Sequence, residues 1–556
     1  MVIIMTNGKK IRGGDVLVKC LLEENVKYIF GIVGGQLLTI YDAVYRWGRE
    51  KGIDTVMFRH EQAAAHAADV WARVTNTPGV CMGTVGPGTT HLLPGVAAAW
   101  SDNIPVITLV AQMHSRDIDR FMYQSGLDQI TMYKPITKYQ KGVHRIEEIP
   151  DAVRKSFREA TGGRPRPVLL ELQEDALIAE IDEEKVSILT KNQYRAIGKP
   201  AVDNQLIKDS LNLLLNAKKP LIISGGGVAR AEAWNELQEF AEYLQIPVIT
   251  TISGLGTISN QSKCHLGISI GADRSMGREA DVVLSLGNKF SFVMGHGAEP
   301  AWNDSQTLIQ VDIDPGMIGR NKPVTIGIVA DCKSFLTQIL QEVKDSERIE
   351  TREWLEKLIK SKNQNEVTMK KIASNDSIPI TPDRMVKEVL EFIDEDAILI
   401  IDGGNITGSA FRQLHLYKDR KPLSTLQSTG MGHLGTSVPW GIGAKLAKPE
   451  KQVVTISGDG SFMINVQDLE TAVRLGLKNL IYVVANNSAW GMIKTGQQFA
   501  FGKRYIDVDL PEFDYGKCAE SFGCYGESIS NPNEIKNALE RAKNSNKPAV
   551  IDVKIK

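Results

Sequence analysis

Cysteine is scarce in this chain and scattered. Its six residues, Cys20, Cys81, Cys264, Cys332, Cys518 and Cys524, are spread over 556 positions without a C-x-x-C pair. That spacing fits a reduced, cytoplasmic setting better than a disulfide framework or a thiolate metal site. Excess charge is missing too: 65 Lys+Arg against 66 Asp+Glu leave a formal charge of −1. No broad field then favours nucleic acid or an anionic membrane as a partner. No apolar run is long enough to span a bilayer, and the opening "MVIIMTNGKKIRGG" has too short an apolar stretch for a signal peptide. There is no G-x-G-x-x-G turn followed at the expected distance by a ribose-binding acid, which weighs against a nicotinamide-dependent oxidoreductase.

What is present is ordinary globular material, 42% hydrophobic and 24% charged, in a chain too long for a single core. Short apolar strands alternate with amphipathic helical stretches, the pattern of parallel sheets covered by helices. "VKYIFGIVGG", "GVCMGTVGPGTT", "IPVITLVAQ" and "RPRPVLLELQ" are strands of a first segment. "KPLIISGGGVA", "IPVITTISG", "ADVVLSLGNKF" and "TLIQVDIDP" belong to a second. After the charged, helix-prone connector "KDSERIETREWLEKLIKSKNQNEVTMKK", "AILIIDGGN", "KQVVTISGDGSF", "NLIYVVANNSAW" and "KPAVIDVKI" form a third. The expectation is an α/β protein of three open parallel-sheet domains, 1–185, 196–345 and 376–556, the three reading as variations on one open sheet.

Five Gly-rich turns close these strands: "GIVGGQ", "TVGPGTT", "SGGGVA", "IDGGN" and "SGDGSF". Ligands of open parallel sheets bind at such strand ends, where glycine admits a ligand close to the backbone and a helix start offers free N–H groups. The last turn carries an acid. Asp459 is followed by "FMINVQDLETAVRLGL", which reads as one helix, by the strand "NLIYVVA", and then by Asn486 and Asn487. A strand–helix–strand unit returns the chain to a neighbouring strand end, so Asp459 and Asn487 can converge. One anionic and one neutral oxygen suit Mg²⁺ when phosphate oxygens and water complete its shell, and Gly460 and Ser461 turn backbone N–H groups toward the same anion. The plainer reading of each alone is a helix-capping Asp and a turn Asn.

"GDG" followed at this distance by "NN" resembles the thiamine-diphosphate motif. "FRHEQAAAHAADVWARVTNTPGVCMGTVGPGTTHLLPG" resembles the pyrimidine-binding domain of the acetolactate synthase superfamily. "YQSGLDQITMYKPITKY", "IQVDIDPGMIGRNKPVTIGIVAD" and "NNSAWGMIKTGQQFAFG" look most like benzaldehyde lyase and its 2-hydroxyacyl-CoA lyase-type relatives. The resemblance implies a pyrimidine-binding first domain, a Rossmann-like centre, and a diphosphate- and Mg²⁺-binding third domain. It implies Asp459, Asn487 and the Ala489 carbonyl as metal ligands, with Asn486 the neighbouring alternative. Asn405 and Met492 join the cofactor contacts. Gly432 offers a carbonyl to the 4′-amino group, and Leu434, where Met is usual, wedges under the bent cofactor. Glu61, otherwise read as a helix N-terminal acid, takes the place of the glutamate that activates the aminopyrimidine ring and so the thiazolium carbon.

Gln36 and Gln124 fall where the family lines its substrate pocket. Gln124 matches the active-site glutamine of benzaldehyde lyase, while Gln36 stands in place of a histidine. "QSG" and Gly496 replace features of acetolactate synthases. The implied activity is carbon–carbon lyase or carboligase chemistry, through an enamine intermediate, on 2-hydroxyacyl (including CoA thioester), 2-hydroxy ketone or 2-oxo acid substrates. The alternative is an acetolactate synthase condensing two pyruvates, and outside that chemistry stands a catalytically silent homologue. Relatives carry FAD or ADP centrally or leave that domain empty; "GNKFSFVMGHG" lacks the "DDR" of FAD-binding synthases. A homodimer is the smallest implied unit and a homotetramer the expected one.

Overall fold

A computed structural model describes residues 9–120, 123–124, 127–269, 275–344, 346 and 352–556. The chain divides into two compact units. One comprises residues 1–197, 428–449 and 465–475; the other comprises 198–427, 450–464 and 476–556.

The first unit is built on a six-stranded parallel sheet of β1 (Tyr28–Gly31), β2 (Asp54–Met57), β3 (Gly79–Gly83), β4 (Val106–Gln112), β5 (Tyr139–Val143) and β6 (Val168–Gln173), in the order β2-β1-β3-β4-β6-β5. Strands β3, β4 and β6 are buried along their whole length or nearly so, as a sheet covered on both faces requires. The helix Glu61–Thr75 packs against Pro87–Asp102 and Ser437–Ala447 through small residues. Ala63, Ala64, Ala65, Ala67 and Ala68 are fully buried. A Cβ at Gly95 would lie 2.5 Å from Ala65 Cβ, and one at Gly443 2.8 Å from the Ala67 carbonyl. Glycine at those two places lets the helices close. Arg73 then bridges Asp69 and Asp102, and Asp102 also accepts the Thr429 N–H and hydroxyl and the Gly430 N–H. One buried carboxylate thereby fixes the start of the loop that carries Gly432 and Leu434.

The second unit holds two parallel sheets. Strands β7 (Pro220–Ser224), β8 (Val248–Thr250), β9 (His265–Ile268), β10 (Val282–Leu286), β11 (Thr307–Asp312) and β12 (Ile326–Val329) run in the order β9-β8-β7-β10-β11-β12. Strands β13 (Ile398–Asp402), β14 (Thr425–Leu426), β15 (Val453–Gly458), β16 (Leu480–Asn486), β17 (Tyr525–Ile529) and β18 (Ala549–Lys554) run β14-β13-β15-β16-β18-β17. The first and third sheets share one strand order; the central sheet follows the Rossmann order. The three are thus two topologies, not variations on one. The connector forms the helix Glu353–Ala373. All six cysteines are free, five of them buried. No helix among the described residues is long and apolar enough to cross a membrane.

The stretch after Asp459 is not one helix. It breaks into Asp459–Met463, a 3₁₀ turn Val466–Asp468, and Leu469–Arg474. Tertiary hydrogen bonds outweigh helical continuity: Asn465 leaves helical geometry and donates its amide to the Gly435 carbonyl, while buried Asp468 accepts the Arg59 N–H.

Two histidines of the second unit, His265 buried and His415 partly so, make its stability acid-sensitive. Neither ring nitrogen of His265 finds a hydrogen-bond partner, and His415 Nδ1 lacks one as well. Burial, then Lys362, depress protonation of both: His265 falls to about 3, with His415 adding to its shift, and His415 to about 4. Both are neutral when folded, whereas the unfolded chain takes up protons below about pH 6.5, so stability is complete above that value and is lost as pH falls toward 4. The expected slope from the pair is up to roughly 2.7 kcal/mol per pH unit. Denaturant unfolding at stepped pH should show His265→Leu with a flatter slope between pH 6 and 4.5. An identical slope would remove His265 from the acid response.

Candidate cofactor and active site

In the third sheet the strand order reverses between β13 and β15, the crevice where open α/β sheets bind ligands. In-register pairing sets Asp402 beside Ser457, and Gly458 beside Ala485. Three strand ends therefore meet at one edge. Asp459 opens the helix after β15, is almost fully buried, and accepts the Gly460 N–H through Oδ1 at 2.8 Å. Burial raises its proton affinity, and the backbone N–H groups of Ser488, Ala489 and Asn487 offset part of that rise. None of them reaches Oδ2 in hydrogen-bonding geometry, so that buried oxygen has no partner among the described residues.

Asn487 follows β16, and its amide lies against Gly491 beside that of Asn405, which opens the helix after β13: a Cβ at Gly491 would come within 3.1 Å of the Asn487 amide and 3.4 Å of the Asn405 amide. Met492 lies on the Gly404 backbone just before Asn405. Ala489 is buried, and its carbonyl accepts the Gly491 N–H at 2.8 Å, leaving one lone pair. Ser461 donates its hydroxyl to Asp402 at 2.6 Å. Asn486 differs from its neighbour. It is buried, its amide donates to the Phe513 carbonyl and to Asp552, and its oxygen accepts the Ser488 N–H. Asp459, Gly460, Ser461, Asn487, Ala489, Asn405 and Met492 are thus brought together, with Asn487 the asparagine whose side chain faces the turn.

The two glycines around Asp459 have different reasons. A Cβ at Gly460 would lie 2.8 Å from the Trp490 ring, so the second glycine seats an aromatic side chain. A Cβ at Gly458 would meet nothing within 4 Å. The protein's own packing therefore does not demand glycine there, which leaves the strand end open to close approach.

The first unit presents a second group at its own switch point, between β1 and β3. Gln36 accepts the Thr84 hydroxyl at 2.8 Å through Oε1 and contacts the Met113 sulfur through Nε2. Gln124 has a positive φ of 66°, and a Cβ at Gly86 would lie 2.7 Å from its carbonyl. Gln36 and Gln124 therefore border the same turn, Thr84–Pro87. Glu61, buried at the start of its helix, pairs through Oε2 with His91 Nδ1 at 3.1 Å. Gly432 is exposed with φ 65°, and Leu434 is only half-buried, unlike an ordinary core leucine.

At the central switch point, Gly225 N–H donates to Leu286 O and Gly227 N–H to Gly287 O. The triple glycine seats two turns against each other. Sequence reading missed Trp490, Asp402 and His91. A histidine one turn into a helix that follows a Gly-Pro-Gly strand end was the available signal for the last.

Three family models match along the chain: the N-terminal TPP binding domain of thiamine pyrophosphate enzymes at residues 11–132, the central domain at 207–339, and the C-terminal TPP binding domain at 402–553. The chain belongs to the thiamine pyrophosphate enzyme family. It is 35% identical to a probable acetolactate synthase large subunit of Methanocaldococcus jannaschii, with 98% of this chain and 92% of that protein covered. It is 32% identical to the acetolactate synthase large subunit of Haemophilus influenzae, covering 98% and 95%. Identity to acetolactate synthase isozyme 3 large subunit of Escherichia coli is also 32%, again covering 98% and 95%. This thiamine pyrophosphate enzyme thus aligns over its whole length with acetolactate synthases, the alternative of the sequence reading. Closeness to benzaldehyde lyase rests on the quoted motifs alone.

The glycine pair gives a test. Gly460→Ala should lower the melting temperature by overpacking, at about 1–3 kcal/mol. Gly458→Ala should melt as the parent does while binding thiamine diphosphate more weakly by calorimetry. Unchanged cofactor affinity in Gly458→Ala would refute a ligand-facing strand end.

Proposed function

We propose that this enzyme is a thiamine-diphosphate-dependent carboligase of the acetolactate-synthase type. The observation that carries the reading is the convergence of Asp459 with Asn487 and Ala489 at a switch point, in a chain aligned end to end with proteins of that name. Mg²⁺ fits the residues present: a buried carboxylate oxygen without a partner among the described residues, a neutral amide oxygen and a backbone carbonyl form a hard, all-oxygen donor set. Asp459, Asn487 and Ala489 would hold the ion. Gly460 and Ser461 would direct N–H groups to the diphosphate, with Asn405 beside it. Gly432 and Leu434 would hold the aminopyrimidine and the bend, and Met492 the thiazolium side. Bound thiamine diphosphate supplies a nucleophilic carbon that attacks a substrate carbonyl. Glu61 holds a proton shared with a ring nitrogen, and Gln36 and Gln124 offer neutral amides to substrate oxygens.

A second reading, cleavage of 2-hydroxyacyl or 2-hydroxy ketone substrates, is favoured by Gln124 and Gln36, an uncharged amide pair bordering one turn. No nucleotide is assigned to the central domain, because the Gly225 and Gly227 amides are already satisfied by protein carbonyls. A homodimer, and a homotetramer built from it, is supported by the helix Gly491–Ala500. That helix buries none of its residues and leaves Phe499 80% exposed.

The test is product analysis with pyruvate alone, thiamine diphosphate and Mg²⁺. The reading expects two pyruvates to give one five-carbon 2-hydroxy-3-oxo acid and one CO₂. No such product, with cleavage of a 2-hydroxyacyl-CoA thioester or a 2-hydroxy ketone in parallel assays, would overturn it in favour of the second.

A further inference from the structure

Glu61 is held by a residue that neither motif reading nor the family comparison assigns. His91 sits one turn into the helix Pro87–Asp102, with Nδ1 3.1 Å from Glu61 Oε2. The Glu61 side chain is 9% exposed and that of His91 47%. Three titratable groups face this carboxylate: His91, His60 and Tyr41. The Tyr41 hydroxyl is pushed up to about 12, by burial first and then by the Glu61 charge, so it stays protonated. The His60 ring stacks on His91, with centroids 4.5 Å apart and planes 27° from parallel. Its Nδ1 accepts the Gln62 N–H at 3.1 Å, which puts the ring proton on Nε2. Burial, then His91, lower His60's proton affinity.

Donor atoms of His60, Glu61 and His91 all lie within 4.8 Å of one another. The Gln62 bond occupies the Nδ1 lone pair of His60, however, and stacked rings aim their in-plane lone pairs side by side instead of at one point. Hydrogen bonding fits this cluster better than metal ligation. With the carboxylate as acceptor, the Glu61–His91 contact places the proton on His91 Nδ1.

We propose that His91 is a positioning residue for Glu61: its Nδ1–H fixes the rotation of the carboxylate, leaving Oε1 for the cofactor's ring nitrogen. This rests on the role given to Glu61 above. The terminal torsion of a glutamate is soft and two-fold, so a single directional bond to one oxygen decides which way the other points. Bonds to charged groups at this level correspond to roughly tenfold or more in rate.

Two variants separate the donor from mere bulk. His91→Asn keeps an N–H donor near the Nδ1 position; His91→Leu removes it. In the holoenzyme, His91→Leu should slow hydrogen–deuterium exchange at the cofactor's C2 by about tenfold or more. Thiamine diphosphate affinity by calorimetry should change by less than about threefold in both variants, and His91→Asn should exchange near the parent rate. In cofactor-free protein, ¹⁵N ring shifts of His91, assigned by their loss in His91→Asn, should report the Nδ1–H tautomer and move in Glu61→Gln. Parental exchange in His91→Leu, equal slowing in His91→Asn, or an Nε2–H tautomer would each overturn the proposal. If His91→Leu does not fold, the tautomer of the parent protein still decides. Glu61→Gln exchanging at the parental rate would bring down both this role and that of Glu61; slowing in Glu61→Gln without slowing in His91→Leu would remove His91 alone.

Discussion

A carboxylate that is buried with one oxygen unpartnered is an unstable arrangement unless something else completes it. Asp459 is in that position: Oδ1 is held by Gly460, Oδ2 by nothing among the described residues, and burial makes its charge costly. The surroundings are organised around that deficit. The Asn487–Ala489 backbone turns its amides toward the carboxylate, Trp490 packs on Gly460, and the space beside Gly458 is kept clear. In the proposed function a cation would resolve the deficit, and a diphosphate would complete the cation's coordination. The rest of the third domain is the means of bringing three strand ends to that point.

Glycine has two distinct functions in this fold. At Gly443, Gly95, Gly225 and Gly460 it admits a neighbouring helix, turn or ring, so the space it leaves is filled by protein. At Gly458 the space is left open. The distinction matters for the central domain, whose triple glycine reads like a phosphate loop but serves to seat two turns together. A Gly-rich strand end is therefore ambiguous until the atoms facing it are known.

That ambiguity marks where sequence stops being legible. Strand and helix alternation was readable because burial on both faces demands continuous apolar runs, and the helix Glu61–Thr75 begins and ends where its Ala-rich pattern does. Convergence of Asp459 and Asn487 was readable because strand–helix–strand connectivity fixes which ends become neighbours. Strand order was not readable, since local pattern says nothing about which strands pair; the central sheet differs from the other two for that reason. The break at Asn465 was hidden because it is caused by a carbonyl thirty residues earlier in sequence, at Gly435. His91 was harder to read for a related reason: "GPGTTH" places a histidine one turn past a Gly-rich strand end, but its partner lies on another helix.

The most direct test of the account is calorimetric titration of cofactor-free protein with thiamine diphosphate, with and without Mg²⁺, for the parent and for Asp459→Ala. The account predicts tight binding only when Mg²⁺ is present, and a loss of about 100-fold or more in Asp459→Ala, roughly 2.7 kcal/mol. Equal affinity with and without the ion, or an Asp459→Ala variant that binds as the parent does, would contradict it.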